Sequence, residues 1–144
     1  MDCLSQGDKD NRMQLLASAV SILKANPNTR VYLDAGHSNW VSPDTIAARL
    51  QKSNVAKADG FFTNVSNFMT TDAEATYGAQ VSAKLEGKHF VIDTSRNANG
   101  PTGYNQSCTP AGRAVGAKST PNPGNRRADA HPQPKTPRRS RGHG

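Results

Sequence analysis

Only two cysteines, Cys3 and Cys108, occur in the 144 residues. No neighbouring His pattern accompanies them, so they do not make a zinc site, and they are left as one disulfide or two free thiols. Long apolar runs are missing as well. None approaches the ~20 residues that cross a bilayer, so no membrane partner is expected. Met1-Asp2-Cys3 leads into polar residues, not a basic segment and an apolar core, so no signal peptide is visible. A cytoplasmic location is therefore expected for the chain as it stands.

Acidic side chains are the scarce charge, 11 against 18 Lys and Arg. The imbalance is local. Residues 117–144 hold Lys118, Arg126, Arg127, Lys135, Arg138, Arg139 and Arg141 against Asp129 alone, which accounts for +6 of the formal net +7. Five of the nine prolines lie there too, and the only apolar residues are Ala117, Ala128 and Ala130. Such a segment cannot bury enough surface to offset its ordering entropy, which predicts a disordered Pro/Arg-rich tail over 117–144 and a folded body over 1–116. The tail has no aromatic side chain for base stacking, and the body has no reading motif. Specific nucleic-acid binding is not expected, only weak attraction to polyanions.

The body alternates helix and strand signals. Met13, Leu16, Val20 and Leu23 recur at helical steps, and Pro27 stops the run. Val31–Asp34 reads as a strand. Ser42 and Pro43 open a second helix, with Ile46, Ala47 and Leu50 on its buried face. Gly60–Val65 is the next strand. Thr71 and Glu74 suggest a capping box for a third helix running through Leu85 to Gly87, and His89–Asp93 is the third strand. Strand starts near 31, 60 and 89 give parallel βα units, in a barrel or an open sheet, with ligands bound at the carboxyl ends of the strands.

Polar clusters fall at those ends: Asp34/His37/Trp40, Asn64/Asn67 and Asp93/Arg96/Asn97. The flat face of Trp40, the only Trp, can stack on a pyranose while Asp34 and His37 address hydroxyls. The same residues also suit a core strand with a satisfied His and a packing Trp. Three strands cannot close a barrel, which needs roughly eight, and an open sheet of three leaves both edges unpaired. The pattern is that of part of a domain.

Tyr32-Leu33-Asp34-Ala35-Gly36-His37-Ser38-Asn39-Trp40, Gly60-Phe61-Phe62-Thr63-Asn64-Val65-Ser66-Asn67-Phe68 and His89-Phe90-Val91-Ile92-Asp93-Thr94-Ser95-Arg96-Asn97 resemble the bacterial branch of glycoside hydrolase family 6. Cys108-Thr109-Pro110-Ala111-Gly112-Arg113-Ala114 is similar to that family's later Cys-Asn-Pro-Pro-Gly-Arg-Ala segment. The resemblance covers residues 2 to about 116. It implies a distorted (β/α) barrel, inverting cleavage of β-1,4-glucan, and no cofactor or metal. It also implies glucan contacts from His37, a stacking platform in Trp40 and a sugar hydrogen bond from Asn67, whose alternative is a strand-end turn residue. Asp93 and Arg96 are expected to form an ion pair that orders their loop, and Asp34 to accept backbone or His37 hydrogen bonds.

Inverting hydrolysis needs a carboxylic acid and a second carboxylate roughly 6.5–9.5 Å apart. The resemblance puts the acid and a Glu-Pro-Asp strand upstream of what this chain contains. The base position, in a Lys-Thr-Pro-Gly-Glu-Ser-Asp-Gly-like motif, falls on Arg141 after Lys135-Thr136-Pro137. His131-Pro132-Gln133-Pro134 stands where an aromatic-rich strand belongs, and Pro cannot serve a central strand. A stacking Trp is replaced by Ser107, and Cys108 lacks its family partner. No catalytic residue is therefore assigned. The expectation is a truncated cellulase with weak glucan binding and no activity of its own. A non-catalytic carbohydrate-binding remnant is the alternative, and an enzyme with Asp34 and Asp93 as a substitute pair ranks below it. The oligomeric state stays open.

Overall fold

The computed structural model describes residues 3–103, 110–118, 120 and 128–130. Ser107, Cys108 and the Lys135–Gly142 motif lie outside the described residues, as does most of the predicted tail. The elements are α1 (Gln6–Lys24), β1 (Tyr32–Asp34), α2 (Pro43–Lys52), β2 (Gly60–Thr63), α3 (Thr71–Lys84), β3 (His89–Ile92) and β4 (Ala128–Ala130). All strand pairs are parallel, in the order β1-β2-β3-β4.

Local chemistry explains the helix starts. Ser5 Oγ accepts the Asp8 amide at the head of α1, and Ser42 Oγ accepts the Thr45 amide ahead of Pro43 in α2. At α3 the expected capping box is corrected. Thr70, one residue earlier, is the N-cap and accepts the Ala73 amide, while Glu74 turns inward and is fully buried. At the other end of α3, Gly87 takes a φ of +82° and its amide donates to Ser82 O, closing the last turn.

Leu33, Phe61 and Phe90 are register partners across β1, β2 and β3, so they share one face of the sheet. That row meets Val20, Ile46, Leu50, Tyr77, Val81 and Leu85 from the helices in one core. The Phe61 and Phe90 rings stack 5.5 Å apart. α3 rides close on β3 because residue 78 is glycine; a Cβ there would overlap the Phe90 ring. The apolar stripe expected on α1 is half right. Met13 and Val20 are buried, whereas Leu16 and Leu23 are 38% and 50% exposed. The latter two lie on the flank of the line through Met13 and Val20, so the stripe is wider than the surface that α1 buries.

A second correction concerns the tail. Ala128–Ala130 is not disordered but forms β4 beside β3, pairing Phe90 with Ala128 and Val91 with Ala130 across a register irregularity. Its approach is tied down too. The Gly116 amide donates to Thr94 O, and Thr94 Oγ1 donates to Ala117 O. Ala-Asp-Ala carries no apolar period to announce a strand. Main-chain pairing with the edge of β3 decides it.

Candidate functional site

Parallel pairing brings the loops after β1, β2 and β3 to one rim, where they are knitted by side chains. Asn64 has a φ of +66° and is fully buried at the end of β2. Its Nδ2 donates to Met69 O and to Asp93 O, and its Oδ1 accepts the Met69 amide. Asp93 accepts the Ser66 amide on one oxygen and the Ser95 amide on the other, at 3.0 and 2.8 Å. It orders its loops through the backbone. Asp34 behaves as expected, its Oδ1 accepting the Gly36 amide at 2.8 Å.

His37 and Trp40 stand together. Residues 37–40 form a turn closed by the Trp40 amide donating to His37 O. The two rings lie 6.2 Å apart and 24° from parallel. Gly36 has a φ of +72°, and a Cβ there would overlap the indole, so glycine lets the ring lie directly on the main chain. Trp40 nevertheless stays 52% exposed. It borders a groove of about 620 Å³ shared with Tyr77 and Gln80 of α3. On another side it borders a smaller hollow of about 170 Å³ with Leu33, Asp34 and Ile46.

Burial lowers the His37 pKa, against the opposing charge of Asp34, and so favours a neutral ring. His37 Nδ1 accepts the Asn39 amide at 3.3 Å, which leaves the proton on Nε2 as a donor. A neutral imidazole N–H beside an indole face suits a sugar hydroxyl. Asn67 Nδ2 donates to Val65 O at 2.9 Å and its amide to Asn64 O, so it closes its own turn on the neighbouring loop. The structure thus brings His37 and Trp40 into contact and puts Asn67 on the same rim.

Sequence reading missed Glu74. Its Oε1 accepts the Ser38 amide at 2.8 Å from the middle of the His37–Trp40 turn. Burial raises its pKa, against the hydrogen bond from Ser38. The Thr63 hydroxyl is near enough to act on the carboxyl, yet Glu74 Oε2 and Thr63 Oγ1 close no hydrogen bond. One turn along α3, the Tyr77 hydroxyl donates to Ala35 O, and burial and the Glu74 charge push its pKa up to about 12. The available signal was a Glu at helical spacing from Tyr77, read instead as a cap. Among the described residues, no group of three or more His, Cys, Asp and Glu could hold a metal, and no helix is long and apolar enough to cross a membrane.

Comparison with known proteins identifies the family. The model of the glycosyl hydrolases family 6 matches residues 1–144. Endoglucanase A of Cellulomonas fimi is 44% identical over 117 residues, 81% of this chain but 25% of that protein. Endoglucanase 1 of Streptomyces sp. strain KSM-9 is 43% identical over 127 residues, 86% and 35% of the two chains. The endoglucanase Cel6 from Mycobacterium tuberculosis was solved with methyl-cellobiosyl-4-deoxy-4-thio-β-D-cellobioside. It superposes with a TM-score of 0.87 at 45% identity, over 93% of this chain and 46% of its own. The chain therefore spans a quarter to a third of these curated relatives and under half of that solved one. With the family match running the whole length of the sequence, the chain belongs to glycosyl hydrolase family 6.

Proposed function

We propose that this chain carries part of the glucan-binding rim of a cellulase, a (β/α) barrel that cleaves β-1,4-glucan with inversion, and that alone it binds cello-oligosaccharide weakly without cleaving it. The observation that carries this reading is the exposed indole of Trp40, laid on Gly36 beside a neutral His37 at the carboxyl end of β1. An aromatic plate with an adjacent N–H donor fits a pyranose, one face apolar and its edge lined with hydroxyls. Asn67, with its Nδ2 donating to Val65 O, offers its Oδ1 to a sugar hydroxyl from the same rim.

The carboxylates near that rim support the second half of the reading. Both Asp93 oxygens accept backbone amides, Glu74 is fully buried, and Asp34 is turned back onto Gly36. None is arranged to pass a proton to a leaving oxygen, and each positioned proton transfer contributes ~10²–10⁴-fold to rate.

Two measurements test it. Quenching of Trp40 fluorescence on titration with cellopentaose should saturate and should vanish in Trp40→Phe, which lacks the reporter, while calorimetry on that variant shows weaker heat. Reducing-sugar release from carboxymethylcellulose should stay at background for the parent and for an Asp34→Ala, Asp93→Ala double variant. Turnover by the parent that disappears in the folded double variant would replace the binding reading with a substitute catalytic pair. A flat cellopentaose titration by both methods would reject the glucan subsite.

A further inference from the structure

We propose that Glu74 of α3 is the positioning residue that sets the His37–Trp40 turn against the helix and so aims the indole plate. All the turn's inner amides are committed. Asn39 donates to His37 Nδ1 and Trp40 to His37 O, both within the turn. Ser38 alone donates outward, to Glu74 Oε1 at 2.8 Å. The turn's shape is therefore internal. Its root is anchored at Ala35 and Gly36, where the Asn64 amide donates to Gly36 O, while its tip is tied to α3 by one carboxyl oxygen.

That oxygen is itself held firmly. Glu74 is fully buried in α3, and Tyr77, three residues on, grips Ala35 O at the root of the same loop. Two successive ridges of α3 thus hold the loop at its base and at its tip. A carboxylate here is an expensive choice for packing alone, since burial opposes its charge and Oε2 has no hydrogen-bond partner. An apolar side chain of the same size would fill the space without that cost. What it would lose is the acceptor for the Ser38 amide.

The inference rests on the glucan-binding reading only for its purpose, so the test reads the loop before any sugar is added. In the full chain, Glu74→Met removes the acceptor and keeps the volume, while Glu74→Gln keeps Oε1 and removes the charge. Hydrogen exchange of the segment 36–42 should quicken roughly tenfold in Glu74→Met, the size expected for losing a hydrogen bond to a charged group. Acrylamide should reach Trp40 more readily, while far-UV circular dichroism stays unchanged. Glu74→Gln should restore both signals to the parent values. A folded Glu74→Met with parental exchange over 36–42 would overturn the proposal, as would a Glu74→Gln that loosens the turn. The second outcome applies even where Glu74→Met fails to fold. Loss of cellopentaose binding by the parent would overturn the functional reading and leave these ligand-free signals standing.

Discussion

At the amino ends of β1 and β2 a single carboxylate gathers three donors, whereas at the carboxyl ends several buried polar atoms have no hydrogen-bond partner. Asp59 accepts Lys24 Nζ at 2.9 Å, an Arg30 guanidinium N–H at 3.0 Å and the Val31 amide at 2.8 Å. Burial alone would raise its pKa. These three donors override that and hold it far below the usual carboxylate range. At the opposite rim, Thr63 Oγ1, Glu74 Oε2, Ser95 Oγ and Asn97 Oδ1 are buried with no hydrogen-bond partner. Ser82 Oγ, in the last turn of α3 on the amino side, is one further such atom, so the two ends differ in degree, with more unpartnered polar atoms where a ligand is expected. That is the division seen in βα folds, stability at one face and binding at the other.

The sharpest way to break the comparison is at Asn64, a fully buried rim residue whose side chain makes three hydrogen bonds. Asn64→Ala removes two donated bonds and one accepted bond from a buried site. It also asks alanine to hold a φ of +66°. With each orphaned group costing ~1–3 kcal/mol, a loss of about 3 kcal/mol or more in urea unfolding is expected. A change under about 1 kcal/mol would mean the loops are held elsewhere. Asp59→Asn at the other end should cost less, about 1–2 kcal/mol, because Arg30 is 79% exposed and its contribution is screened.

Acid should separate the two ends by sign. Asp59 has a depressed folded pKa, so the stability it supplies is present above the unfolded carboxylate value of ~3.9 and is lost as pH falls below it. Glu74 has a raised folded pKa, so its protonated form is favoured on folding and its contribution is lost as pH rises through that value. The gap between parent and Asp59→Asn should therefore shrink on acidification in urea titrations. Glu74→Gln should behave oppositely, matching the parent in acid and exceeding it at neutral pH. Parallel pH profiles for the two variants would erase the distinction between the ends.

How much of this was legible in the sequence follows the same line. The three βα units and the Ser42 cap were readable because period, capping and apolar content coincide there. Trp40 and His37 stood out because they follow an apolar strand with polar and aromatic chemistry. Glu74 was not, since a Glu near a helix start fits a cap so well that burial had no separate signal. β4 was not, because the sequence Ala128-Asp129-Ala130 has no run of alternating apolar residues to announce a strand. Leu16 and Leu23 misled because periodicity shows which face is apolar, not how much of it a neighbour covers.

The smallest expected change in stability is also the most informative about purpose. Trp40→Ala removes a large ring, yet the ring is 52% exposed and rests on the main chain of Gly36. Surface substitutions away from caps and buried networks usually fall within about 0.5 kcal/mol, and the amides of the 37–40 turn keep their acceptors in the variant. Unfolding of Trp40→Ala should therefore overlay the parent within about 1 kcal/mol, while calorimetric binding of cellopentaose falls beyond detection. Gly36→Ala sharpens the point from below. Its new methyl must displace the indole, so binding should fall although Trp40 itself is intact. If Trp40→Ala instead unfolded as readily as Asn64→Ala, the indole would belong to the scaffold, and the proposed subsite would lose its exposed plate.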